Sequence, residues 1–206
     1  MKRLGTLALV LCLGFVACGG DDDPSTTGDA APAGDGGSHD GAIPPADAPG
    51  GIGEPAELAG ITLLHNQVRQ QVDTATPLPP LEWDASLAAT AAAWVAECRD
   101  TQAPAGLIDH NPDRSDGHPY YVGENVFGSS GTATAEAAVS SWAAEKANYD
   151  YATDTCNGVC GHYTQIVWRT TLKLGCARGS CPGLTYGSTI VCNYGPGGNI
   201  SGQRPY

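Results

Sequence analysis

The sequence is short of positive charge. It has 10 Lys and Arg residues against 22 Asp and Glu, which gives a formal net charge of -12 over 206 residues. Proteins that bind nucleic acid through its phosphates carry a basic patch or stripe, and this sequence has none. Anionic lipid head groups are disfavoured partners for the same reason. We therefore expect no nucleic-acid partner.

Long hydrophobic runs are also missing. The most apolar stretch, residues 4–16, follows Lys2 and Arg3 and is too short to span a bilayer. A positively charged start, an apolar centre and a small residue before Cys18 predict an export signal over residues 1–17. The ending FVAC resembles a bacterial lipobox, which implies a lipid on Cys18 and a location at the outer membrane or cell surface. The alternative is an ordinary secretory signal that is cut elsewhere.

Apolar side chains are scarce in the residues that follow. Residues 19–55 contain no aromatic residue, no Lys and no Arg, and Ile43 and Ile52 are their only large apolar residues. Such a segment cannot bury enough surface to offset the entropy of ordering it, so we predict a disordered acidic tether over residues 18–55. Residues 56–206 are enough for one domain with its own core. We therefore expect the protein to contact the membrane only through its lipid anchor.

Motifs of the common hydrolases are absent too. The sequence has no His-Glu-x-x-His helix of a zinc protease and no Gly-x-Ser-x-Gly turn of a serine hydrolase. Of the 8 cysteines, Cys12 and Cys18 belong to the signal and its cleavage site, which leaves six in the domain. An even number in an exported chain implies three disulfides, and no thiol is then left as a nucleophile. Spacing alone leaves the pairing open.

The spacing of apolar residues predicts helices first and strands later in the domain. Apolar side chains recur at intervals of three and four residues, and Asp84 has the position of a helix N-cap. The predicted helices cover residues 58–72, 84–98, 134–146 and 162–168, and the predicted antiparallel strands cover residues 172–177 and 189–194. The polar, proline-interrupted residues 99–123 predict a long surface loop. The pattern by itself indicates a mixed α and β domain.

Two stretches late in the sequence carry a family resemblance. Residues 161–178, which begin GHYTQIVWR, and residues 190–199, IVCNYGPGGN, are similar to the two signatures of the CAP superfamily. That superfamily contains the cysteine-rich secretory proteins, antigen 5 and the plant pathogenesis-related class 1 proteins, whose ends resemble the final residues GQRPY. The resemblance implies an α+β fold, an α-β-α sandwich with an antiparallel sheet between helices, stabilised by disulfides.

The same resemblance bears on the disulfides. It implies the bridges Cys176–Cys192 and Cys156–Cys160, which leaves Cys98 and Cys181 as a third pair. A bridge from Cys98 to Cys156 or to Cys160 remains open as an alternative.

The resemblance also implies a cavity lined by two histidines and two glutamates. These are His110, Glu124, Glu145 and His162, with His118 as the alternative to His110. Two neutral imidazoles can bind zinc, with the glutamates orienting the rings or a bound water, so His110 and His162 are the candidate metal ligands. The same groups can instead form ion pairs that tie the segments together. No cofactor is required by either interpretation.

Family members bind sterols, fatty acids or other amphiphiles, and this resemblance favours a monomeric binding module over an enzyme. The expected ligand is lipid-like, or a partner at the cell surface. Aromatic candidates for a lipid-binding loop are Tyr120, Tyr121, Tyr149 and Tyr151. The alternative is a zinc-dependent peptidase or cell-envelope hydrolase with Glu124 or Glu145 as the catalytic base.

Overall fold

A five-stranded sheet forms the centre of the domain. The structure, a computed structural model, describes the backbone of residues 15–18 and the whole of residues 53–206. The strands are β1 (Phe15–Cys18), β2 (Glu82–Trp83), β3 (Gly123–Ser129), β4 (Tyr149–Asp150), β5 (Thr155–Cys156), β6 (Lys173–Ser180) and β7 (Ser188–Gly195). The large sheet has the order β1-β3-β7-β6-β2, and β4 and β5 form a separate hairpin.

Four α-helices surround the sheet. They are α1 (Ile61–Gln70), α2 (Ala85–Glu97), α3 (Ala135–Ala144) and α4 (Gly161–Ile166), with short 3-10 helices at Ala56–Leu58 and Glu145–Asn148. The N-cap predicted at Asp84 is present, because its carboxylate accepts the N–H groups of Ser86 and Leu87. Burial would raise the pKa of Asp84, but hydrogen bonds from Lys173 and from these N–H groups hold it below its usual value.

The two faces of the sheet carry separate cores. On one face, Trp94 and Val95 of α2 pack against Val126 and Val191. On the other face, helices α1, α3 and α4 contribute their buried side chains to a cluster with Phe127, Ile190 and Cys192. Because successive strand residues point to opposite faces, Val126 and Phe127 enter different cores. Helices on both faces make the α-β-α sandwich that the resemblance implies.

Helix α2 packs very close to the sheet, and a glycine allows it. A Cβ atom at Gly175 would lie 2.2 Å from the backbone nitrogen of Ala88. No side chain fits in that space, so the contact between β6 and α2 depends on glycine.

The strand prediction needs one correction and several additions, because β6 and β7 are the two of the seven described strands that were predicted. The pairs β1–β3, β3–β7 and β6–β7 are antiparallel as expected, but the short edge strand β2 pairs with β6 in parallel. Strand β3 was not predicted, because Gly123, Glu124, Asn125 and Gly128 interrupt any apolar alternation. Residues 99–122 contain no helix or strand, as predicted for a long loop.

The loop takes its shape from the buried carboxylate of Asp109. It accepts hydrogen bonds from the N–H and hydroxyl of Thr101 and from the N–H of Gln102. Burial of Asp109 acts to raise its pKa, and these bonds outweigh burial and lower it. A polar segment without regular structure is thereby held in place.

Three disulfides join the described segments. They are Cys98–Cys181, Cys156–Cys160 and Cys176–Cys192, the set that the resemblance implies, and neither alternative partner of Cys98 is used. The Cys176–Cys192 bridge crosses from β6 to β7, where the two cysteines lie directly opposite each other.

Most of the predicted export signal and tether lies outside the described residues and stays a prediction. Within the signal and its cleavage site, the backbone of Phe15–Cys18 pairs with β3 as strand β1. Glu54, assigned to the tether, accepts hydrogen bonds from the N–H groups of Gly60 and Thr62 at the start of α1. The ordered part of the domain therefore includes Glu54.

Candidate functional site

The first histidine–glutamate pair joins the end of α3 to the start of α4. Glu145 Oε1 lies 2.5 Å from His162 Nδ1, and Glu145 Oε2 accepts the backbone N–H of His162 at 2.9 Å. The His162 ring also stacks on Trp142 of α3, with 6.1 Å between centroids. Its other ring nitrogen, Nε2, is buried and has no hydrogen-bond partner in the described part of the chain.

The second pair joins the long loop to β3. Glu124 Oε1 lies 2.7 Å from His110 Nδ1 and also accepts the N–H of Asn111 at 2.9 Å. The Glu124 side chain is fully buried, whereas 33% of the His110 side chain is exposed. His118, the alternative to His110, instead contacts the hydroxyl of Thr90 at 3.0 Å. The structure therefore brings His110, and not His118, to Glu124.

Strand β3 connects the two pairs. Glu124 is opposite Asn193, and the Asn193 amide donates to Leu87 of α2. The next residue, Asn125, points to the other face and donates to the carbonyl oxygen of His162 at 3.1 Å. Within residues 53–206, no group of three or more His, Cys, Asp or Glu side chains could hold a metal ion. The four predicted cavity residues thus occur as two His–Glu pairs.

A chain of hydrogen bonds runs from α1 to His162 and was not predicted as such. His65 Nδ1 contacts the carbonyl oxygen of Ile61, and His65 Nε2 contacts the hydroxyl of Tyr194, both at 2.8 Å. Asn125 donates to the same hydroxyl and to His162. Burial lowers the pKa of His65 to about 4, so the ring is neutral at pH 7, with Nδ1 as donor and Nε2 as acceptor.

Arg69 organises the same region, and within residues 53–206 it has no acidic partner. Its guanidinium is buried and donates to the carbonyl oxygens of Pro79, Ile166 and Trp168. Burial lowers its pKa to about 10. Arg69 follows His65 by four residues, so both lie on one face of α1. Two polar residues on a helical face that is otherwise apolar are the sequence signal for this network of hydrogen bonds.

A groove lies beside α4, and it is lined by neither pair. It measures about 310 Å³ and lies between the segment that contains Tyr149 and Val159 and the segment that contains Asn199 and Pro205. Cys160 and Trp168 on its floor are each 4% exposed, whereas Val159 and Ile200 at its rim are 44% and 38% exposed. The groove therefore combines two buried and two exposed apolar residues with a lining that otherwise consists mostly of glycines and polar side chains.

Of the four candidate tyrosines, one lines this groove. Tyr149 is a lining residue, and Tyr151 lies beyond it with its ring stacked on Tyr206 at 4.5 Å between centroids. Tyr120 stacks on His118, and Tyr121 packs under the guanidinium of Arg114. Tyr120 and Tyr121 thus belong to the long loop and do not line the groove.

Comparisons with known proteins identify the family. The family model described as Cysteine-rich secretory protein family (CAP) matches residues 63–194. The chain belongs to the CAP family. It is 45% identical over 143 residues to Pathogenesis-related protein 1 of Arabidopsis thaliana, which covers 69% of this chain and 78% of the relative. GLIPR1-like protein 1 of Mus musculus is 35% identical over 163 residues, 75% of this chain and 66% of the relative.

Solved CAP structures share the fold of this CAP domain. The venom allergen-like protein 4 of Schistosoma mansoni matches with a TM-score of 0.60 and 29% identity, over 74% of this chain and 95% of that one. A crystal structure of NaASP2 with Zn2+ matches with a TM-score of 0.52 and 27% identity, over 71% and 82% of the two chains. The α+β assignment is confirmed. No helix in the described part of this CAP chain has the length and apolarity to cross a membrane.

In the Glu145–His162 pair, the environment of the His162 ring is typical of a histidine that binds a metal ion. A histidine that binds zinc through one ring nitrogen commonly donates the other N–H to a carboxylate, which fixes the ring. His162 has this form, because Glu145 contacts Nδ1 and Nε2 has no partner in the described residues. His162 is 1% exposed, however, so neither solvent nor a substrate reaches the ring in this conformation.

Proposed function

We propose that the chain is an exported, non-enzymatic binding module whose ligand is lipid-like. The groove is the observation that carries this proposal. It offers an apolar floor at Cys160 and Trp168 and large exposed apolar side chains at Val159 and Ile200. Exposed apolar side chains grouped at the mouth of a concave site are typical of surfaces that bury an apolar ligand. Sterols and fatty acids are the expected ligand classes.

We further propose that the mature protein is a monomer anchored at the outer membrane or cell surface through a lipid on Cys18. The match to a family of secretory proteins supports export. The acidic composition argues against nucleic acid as a partner. A cell-surface protein that presents an apolar side chain to the groove would be recognised by the same contacts.

The binding proposal is tested with one substitution at the rim and one matched control. Val159→Asp places a charge at the mouth of the groove, while Leu172→Asp places one at a residue of similar exposure, 47%, that does not line it. We expect Val159→Asp to weaken binding of a fluorescent sterol or fatty acid by about tenfold or more, since the buried apolar contact is lost. Leu172→Asp is expected to bind as the unsubstituted chain does. Equal binding by all three proteins would overturn the groove as the ligand site.

A second candidate is a zinc-dependent peptidase or cell-envelope hydrolase. It is favoured by the buried Nε2 of His162, which has no partner among the residues that the structure describes. His162 and His110 would hold the zinc, and Glu145 and Glu124 would orient their rings. Bound zinc would supply a polarised water at neutral pH. Glu145 or Glu124 would be the catalytic base of this candidate.

The two candidates are separated by assaying peptide and peptidoglycan cleavage beside lipid binding, with zinc added. Zinc-dependent cleavage that is lost in both His162→Ala and Glu145→Ala would overturn the binding assignment. Under the binding proposal no cleavage is expected, and lipid binding survives these substitutions in protein that remains folded, because neither residue lines the groove.

A further inference from the structure

Within residues 53–206, the groove is lined by negative charge and by no positive charge. Among the described residues that line it, Asp154 is the one that carries a charge. Asp154 is exposed, and its Oδ1 accepts the hydroxyl of Tyr149 at 2.7 Å. Burial, together with this bond, raises the pKa of Tyr149 well above its usual value, so the phenol keeps the proton that it donates. The second carboxylate oxygen of Asp154 has no hydrogen-bond partner within residues 53–206 and can accept a hydrogen bond from a ligand.

The other polar side chains that line the groove are uncharged. Thr164 donates to Asn199, and the Asn199 amide donates to the carbonyl oxygen of Gly161, so these side chains hold the wall of the groove together. The nearby Arg204 lies over the ring of Tyr151 and donates to Ala152, and it does not line the groove. A ligand whose apolar body rests on the floor therefore meets an acceptor at the rim and no lining cation.

We propose that the groove selects amphiphiles with a hydroxyl or an amine head group over those with a carboxylate, and that Asp154 makes this selection. The inference rests on the proposed function and narrows its ligand class. A hydroxyl or ammonium group can donate to the open carboxylate oxygen, and an ammonium group gains charge attraction as well. A carboxylate head group brings two negative charges together at the rim, which disfavours free fatty acids.

The test uses three ligands with one chain length: decylamine, 1-decanol and decanoate. Binding to the purified full chain is measured by calorimetry in detergent-free buffer. We expect decylamine to bind about tenfold more tightly than decanoate, with 1-decanol between them. The reason is that the partly solvated Asp154 carboxylate attracts the ammonium group and repels the carboxylate of decanoate. In Asp154→Asn the three affinities are expected to fall within about twofold to threefold of one another.

Asp154→Asn is a conservative substitution. Asp154 has a φ of 55°, a left-handed conformation that asparagine adopts readily, and the amide oxygen of asparagine can still accept the Tyr149 hydroxyl. Asp116→Asn removes the same charge from an exposed residue that does not line the groove, and it is expected to preserve the ligand order.

The outcomes separate this inference from the proposed function. If none of the three ligands binds, both are overturned. If the ligands bind with equal affinity, or decanoate binds best, the head-group selection is overturned and the binding groove stands. If the expected order persists in Asp154→Asn, or disappears in Asp116→Asn, the assignment to Asp154 is overturned.

Discussion

Glu145 holds His162 at two points. One carboxylate oxygen contacts the ring at Nδ1, 2.5 Å away, and the other accepts the backbone N–H of the same residue at 2.9 Å. The carboxylate thus fixes both the ring and the first turn of α4. In Glu145→Gln an amide N–H would face one of these N–H groups, and a buried donor would lose its acceptor. We expect a loss of about 1–3 kcal/mol in the free energy of unfolding, measured with urea.

The matched control is Glu97→Gln, which neutralises an exposed acid at the end of α2. Its stability is expected to stay within about 0.5 kcal/mol of the unsubstituted chain. Equal stability of the two variants would show that the Glu145 carboxylate contributes no more than a surface charge.

Tyr194→Phe tests the chain of hydrogen bonds between α1 and His162. The hydroxyl contacts both His65 and Asn125, and all three residues are buried. Its removal takes away the partner of His65 Nε2 and leaves the Asn125 amide with its bond to His162, so we expect a loss of about 1–3 kcal/mol in urea unfolding. Tyr151→Phe removes the hydroxyl of an exposed tyrosine and is expected to cost less than about 0.5 kcal/mol. If the stability of Tyr194→Phe equals that of the unsubstituted chain, water replaces the hydroxyl.

His65 predicts a dependence of stability on pH. Its pKa is about 4 in the folded chain and about 6.5 when unfolded. Between these values the unfolded chain binds a proton that the folded chain does not, so stability is complete above pH 6.5 and falls as the pH decreases towards 4. From pH 7 to pH 4.5 this amounts to about 2 kcal/mol.

The measurement is urea unfolding at the two pH values for the unsubstituted chain and for His65→Gln, which cannot titrate. The decrease in stability between pH 7 and pH 4.5 is expected to be smaller in His65→Gln by about 2 kcal/mol. The carboxylates are the same in both proteins, so their contribution cancels when the two decreases in stability are compared. Identical decreases in the two proteins would show that His65 is not the responsible group.

The disulfides are expected to contribute unequally. Cys98–Cys181 closes a loop with a sequence separation of 83, whereas the separation for Cys156–Cys160 is 4. Loop entropy in the unfolded chain predicts losses of about 4 kcal/mol and about 2 kcal/mol when each pair is replaced by alanine. Urea unfolding under non-reducing conditions measures both. A larger loss for the short loop would mean that the Cys156–Cys160 bridge acts chiefly by shaping the groove wall.

Local patterns anticipated the four described α-helices and strands β6 and β7, and they missed the other described strands. Asp84 caps α2 as predicted, because an N-cap depends on residues two and three positions away. Strand β3 escaped prediction because it is buried on both faces and contains Glu124 and Asn125, whose partners come from loops and helices far along the chain. The alternation that reveals a half-buried strand does not exist there.

The amino-acid sequence by itself determined the family, the α+β class, the number of disulfides and the acidic surface that disfavours nucleic acid. Those properties follow from composition, periodicity and signatures within short stretches. Only the tertiary structure decided that His110 rather than His118 meets Glu124, that the four expected cavity residues occur as two pairs, and that the groove beside α4 is lined by neither pair. Each depends on how segments dozens of residues apart pack against the sheet, and packing geometry is not a local property of a sequence.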